Sequence, residues 1–101
     1  MKLVLVTAVE EFQKEVLQIF KKANIENFSS SDIDGYKNVS TLLKASSWFS
    51  GEKNGNESTM FFSFTGKEKI DGLFVLLEEF NKNIETNNPL KAIVLPIERF
   101  I

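Results

Sequence analysis

The chain has 101 residues, 43% hydrophobic and 26% charged, with ten Phe against two Pro and five Gly. That length fits one domain, residues 1–101, with no room for a second core, and the aromatic content excludes disorder throughout. Twelve Lys and Arg against fourteen Asp and Glu leave a net charge of -2, which argues against binding nucleic acid by phosphate neutralisation.

Lys2 to Val9 is almost continuously apolar and β-branched, as expected of a central strand covered on both faces. It is too short for a secretory hydrophobic region or a membrane span, so no membrane insertion is expected and the cytoplasm is the expected compartment. Glu10 to Ala23 predicts a helix. Phe12, Val16, Ile19, Phe20 and Ala23 share one face, acids open it, lysines close it, and Asn24 is its stop. A second strand is expected at roughly Asn27 to Asp34. It is polar enough for a sheet edge, and Gly35 ends it.

Tyr36 to Ser58 shows no strong period and is long for a connection; such loops are commonly functional. Thr59 to Thr65 predicts a third strand. Ile70 to Ile84 predicts a second helix, apolar over more than one face and broken by Asn87-Asn88-Pro89. Ala92 to Leu95 predicts a fourth strand with Pro96 at its end.

The order βαβ-loop-βαβ predicts an α+β fold: a ferredoxin-like βαββαβ sandwich, antiparallel, in sheet order 4-1-3-2, with both helices on one face. The other face then carries either Val4, Val6 and Ala8 or Leu3, Leu5 and Thr7, with half of the third strand. An exposed apolar sheet of that size implies a protein partner, and self-association is the simplest cover.

Neither Cys nor His occurs, which removes thiol chemistry, the commonest general base and the commonest transition-metal ligand. Ser29-Ser30-Ser31 has no base to activate it, so no enzyme is expected. Glu10, Glu11 and Glu15, and equally Glu78 and Glu79, read as solvated helix residues rather than cation ligands. Asp32 and Asp34 alternate on one side of the second strand beside the loop base, but no metal site is assigned. Trp48 and Phe49, with Leu42 and Leu43, form an apolar cluster in the long loop. Such residues anchor a protein target or fold back on their own assembly.

These features together resemble the PII signal-transduction proteins. The resemblance runs over the whole chain: the opening MKLVLVTAVEEFQKEVL, the turn Asp34-Gly35-Tyr36, the long central loop, and the ending Lys91-Ala92-Ile93-Val94-Leu95-Pro96-Ile97-Glu98-Arg99. It implies a homotrimer whose sheets cover one another, small-effector binding in clefts between subunits, and a T-loop, here 36–58, that carries ligand state to a target protein. The target implied is a membrane transporter or an enzyme, including heavy-metal efflux systems by analogy.

Gly35, Lys91 and Arg99 are the ligand-binding candidates. Each has a plainer reading: a turn glycine, a solvated strand-start lysine and a rim ion pair. The cofactor is left open, with a nucleotide as one candidate. The family's ATP and oxoglutarate site is incomplete. Asn88-Pro89-Leu90 replaces its glycine-rich phosphate turn, and the later arginines have no counterpart up to Ile101. Val39, Ser58 and Gly51 stand where its T-loop glutamine, lysine and tyrosine would be. A CutA-like divalent-cation tolerance protein and a ligand-free trimeric interaction module are the alternatives.

Overall fold

Strand β1, Lys2–Val9, is the most apolar segment of the chain and lies inside the sheet with hydrogen-bonded neighbours on both sides. The computed structural model describes residues 1–35 and 56–101. After β1, a single 3-10 turn at Glu10–Phe12 leads into α1, Gln13–Lys22. Strand β2, Ser29–Gly35, and strand β3, Asn56–Thr65, follow; then come α2, Lys67–Lys82, and β4, Lys91–Pro96.

The sheet order is β2-β3-β1-β4, every neighbouring pair antiparallel. Read from the other edge, this is the predicted 4-1-3-2. Lys2 pairs with both Thr65 and Pro96, and Thr7 with both Met60 and Lys91.

The register decides which face each side chain takes. Val4, Val6 and Ala8 of β1 face the helices and are buried, together with Phe61 of β3. Val16, Ile19 and Phe20 of α1 and Ile70, Leu73 and Leu77 of α2 meet them. Each such side chain contributes about 1.5–3 kcal/mol when fully buried. Phe20, Phe28 and Phe61 form a three-ring cluster with centroids 4.9–6.2 Å apart. Phe12 stacks edge-on against Phe80 at 5.4 Å and ties the start of α1 to α2.

The opposite face carries Leu3 and Leu5 with Met60, Phe62 and Phe64, and with Ile93 and Leu95. The sequence left two candidate sets for this face, and the register selects Leu3, Leu5 and Thr7. Neither helix covers it: Phe64 is 57% exposed, Ile93 53% and Leu95 44%.

Five elements differ from expectation in their bounds, among them β2, which is Ser29–Gly35 rather than roughly Asn27 to Asp34. Helix α1 starts at Gln13 rather than Glu10, because the chain leaving β1 first makes the 3-10 turn that seats Phe12. Helix α2 runs Lys67–Lys82 rather than Ile70 to Ile84; its first turn, Lys67-Glu68-Lys69, is polar and has no apolar period to reveal it. Strand β3 begins at Asn56, three residues before Thr59, where Glu57 and Asn56 pair with Asp34 and Gly35 at the polar edge. The connection from β2 to β3 is therefore 36–55 rather than 36–58. Strand β4 extends one residue beyond prediction at each end, through Lys91 and Pro96.

Candidate functional site

At one end of the sheet, β1 and β2 finish and β3 and β4 begin. The described connection before β4, residues 83–90, arrives at this same end and delivers Lys91 to it. A cleft of about 180 Å³ lies among these strand ends. Its sheet side is Thr7, Val9, Ile33, Gly35 and Ser58, and its outer rim is Asn87, Asn88 and Pro89, with Lys91 between. By register, Thr7, Lys91, Ile33 and Gly35 belong to the uncovered face of the sheet. The cleft therefore opens at the margin of that apolar surface.

The rim is held by side chains. Asn81, in the last turn of α2, donates from Nδ2 to the Leu90 carbonyl at 2.9 Å and accepts the Leu90 N–H on Oδ1 at 2.9 Å. This two-bond pairing reproduces a strand contact with an amide side chain in place of backbone. Leu90 beside it is buried in the core. The Asn88 N–H donates to Thr86 Oγ1 at 3.0 Å, a short turn that shapes the connection before Pro89. These bonds fix the backbone that delivers Lys91 to the cleft.

A second cleft, about 440 Å³, lies on the helix side of the same sheet end. Its lining includes the carboxylates of Glu10, Asp32, Asp34 and Glu57, and it shares Ile33 and Ser58 with the first. Among the described residues no three His, Cys, Asp or Glu stand close enough to hold a metal ion. Glu11 is exposed, and Glu15 is half-buried, one of its carboxylate oxygens lacking a hydrogen-bond partner among the described residues.

Two of the three expected ligand residues thus come together: Gly35 and Lys91 line one cleft although they are far apart in sequence. Arg99 is exposed beyond the end of β4 and lines neither cleft. Leu42, Leu43, Trp48 and Phe49 lie outside the described residues, as do Val39 and Gly51. Sequence reasoning missed Asn81. No residue pattern marks it, because its partners are the backbone groups of Leu90, nine positions on, and its half-burial exists only in the fold. Thr7 and Ser58 were also missed as lining residues, because only the register brings them to Lys91.

No family model matches this chain, and no curated protein matches it. Among solved structures, that of CPII from Thiomonas intermedia K12, bound to ADP, AMP and acetate, superposes with a TM-score of 0.67 at 9% sequence identity. The match covers 95% of this chain and 84% of that one. CPII is a PII-family protein, and at this identity the likeness is one of fold. No helix among the described residues is long and apolar enough to cross a membrane.

Proposed function

We propose that the chain is a PII-like regulatory protein rather than an enzyme. It binds a small anionic effector in the cleft at the strand ends and reports occupancy to a protein target through residues 36–55. The convergence of Gly35 and Lys91 on one cleft, at the base of both segments that leave the sheet, carries this reading. Lys91 supplies the positive charge, and Thr7, Ser58 and Asn87 supply polar edges. A ligand here touches the ends of β2 and β3, so its binding free energy acts directly on the segment between them. That is how a binding event biases a connecting segment between ordered and disordered states.

The assembly is a homotrimer in this reading. The uncovered face made by Leu3, Leu5, Phe62, Phe64, Ile93 and Leu95 supports it, since soluble chains rarely leave such a surface to water. The cleft opens at the margin of that face, so a neighbouring copy seated there brings the cleft to a subunit boundary. Leu42, Leu43, Trp48 and Phe49 then serve as the apolar contact for the target, a membrane transporter or an enzyme.

CPII is bound to ADP, AMP and acetate, so adenine nucleotides are the first effectors to test. Titration calorimetry of the purified protein with AMP is expected to show saturable binding. Lys91→Ala is expected to weaken it roughly tenfold or more, the cost of one charge-assisted contact, with an unchanged circular dichroism spectrum. Equal affinity in the variant would remove Lys91 from the site and, with it, this reading of the cleft.

A further inference from the structure

The end of the sheet away from Lys91 carries a groove of its own. About 420 Å³ in volume, it lies where the chain enters β2 and leaves β3. Phe62 and Phe64 line it, their rings 6.4 Å apart and nearly perpendicular, and Phe64 is 57% exposed. Phe28 lines it too, but its ring is engaged with Phe20 and Phe61, and the Ser63 hydroxyl is spent on the Asn27 carbonyl. Among the described residues, Glu26 is the one charged side chain in the lining, and it is exposed. Aromatic rings beside a carboxylate suit a cation carried on an apolar body. A guanidinium suits them best, since it stacks on a ring and pairs with a carboxylate at once.

The chain has a single Arg, Arg99. It stands beyond β4 and is followed by Phe100, which is 76% exposed. Pro96 pairs with Lys2 and Lys2 with Thr65, so residues 97–101 leave the sheet at the same end as the groove. They do not line the groove of their own chain, which lies on the far side of β3. Neither Glu26 nor Arg99 is in an ion pair among the described residues. Phe62 and Phe64 also belong to the uncovered sheet face, so a copy seated on that face comes up to the groove.

We infer that the groove receives residues 97–101 of a second copy, with Arg99 stacked on Phe64 and paired to Glu26, and Phe100 packed against Phe62. This rests on the self-association proposed above and names a contact that holds it. Tail and groove are different surfaces, so each copy gives one and receives one, and a closed ring of copies satisfies them all. Arg and aromatic side chains are the ones enriched in the cores of such contacts, and Phe100 shields from water an ion pair that would otherwise count for little.

The test is a charge swap on the whole chain. Arg99→Glu, Glu26→Lys and the two combined are compared with the parent by sedimentation velocity over a concentration series. Each single reversal sets like charges together and is expected to raise the concentration for half-assembly roughly tenfold or more. The double variant restores opposite charges and is expected to return it to near the parent value. Both positions are exposed, so circular dichroism is expected to stay unchanged. In a mixture of isotope-labelled and unlabelled protein, filtered NMR spectra are expected to show the Phe100 ring of one copy against the Phe62 and Phe64 rings of another. Single reversals that assemble like the parent would overturn the tail contact and leave self-association standing. A double variant no better than the singles would overturn the pairing of Glu26 with Arg99. Ring contacts confined to one copy would put the tail in its own groove, and the proposal falls. A parent protein that stays monomeric at every concentration removes both the assembly and this contact.

Discussion

Asn24 ends α1 in a left-handed conformation, φ 61°, the one positive φ among the described non-glycine residues. The Ile25 N–H reaches back to the Phe20 carbonyl at 3.0 Å and the Asn24 N–H to that of Lys21 at 3.1 Å, a complete Schellman closure. Ile25, buried, completes it with an apolar contact. Asn24→Ala places a Cβ without compensation in this backbone region and is expected to cost about 1 kcal/mol. For a chain this size that lowers the melting temperature by about 4–8 °C. Asn24→Gly is expected to melt at or above the parent temperature. Thermal denaturation of the two variants side by side checks both. The Asn24 stop was legible from sequence because αL-tolerant residues are few. The Asn81 clamp was not, since its partner is a backbone group nine positions on and no side-chain pattern marks it. The bridge from Lys67 to Asp71, 3.7 Å on an exposed helix face, adds little.

At the level of elements, β3 joins the two halves of the core. Phe61 packs against Phe20 of α1 and Phe28, which precedes β2. Ser63, buried on the same face, donates its hydroxyl to the Asn27 carbonyl at 2.6 Å and so satisfies a loop carbonyl inside the fold. Phe61→Ala removes the ring that all three elements share and is expected to cost about 3–5 kcal/mol, measured by urea unfolding. That is a large share of the stability of a small domain. The order of the strands and of the two helices was readable, because β1 is a continuous β-branched apolar run, α1 has one apolar face, and β3 and α2 are apolar segments bounded by polar ones. The boundaries moved where polar residues extend an element beyond its buried part, as at Lys67 and Asn56. The site was readable only in fragments. Gly35 and Lys91 stood out as a turn residue and a strand-start cation, while Thr7 and Ser58 acquire a role only from cross-strand register.

For the whole molecule, the proposed assembly rests on the uncovered sheet face. Ile93 sits opposite Leu5, which sits opposite Phe62, so one apolar row crosses three strands, and Leu95-Leu3-Phe64 makes the next. Ile93→Asp puts a charge into that surface without touching the core. The expected outcome is loss of self-association, read as a fall to monomer mass by native mass spectrometry, with helix and strand content preserved by circular dichroism. A wild-type monomer would refute the assembly outright. Polar Ser29, Ser30, Ser31 and Asp32 on the β2 edge, by contrast, discourage stray strand pairing.

The pairing of β1 with both β3 and β4 also bears on synthesis. Of the four strands, the earliest made is the most apolar, yet its two edges are filled by strands made much later: β3 from Asn56 onward, and β4 not until Pro96 has emerged opposite Lys2. Throughout translation β1 keeps at least one open edge, and contacts this distant in sequence close slowly. A nascent chain stalled after α2 therefore presents a half-paired apolar strand, and it is expected to aggregate more readily than the finished fold.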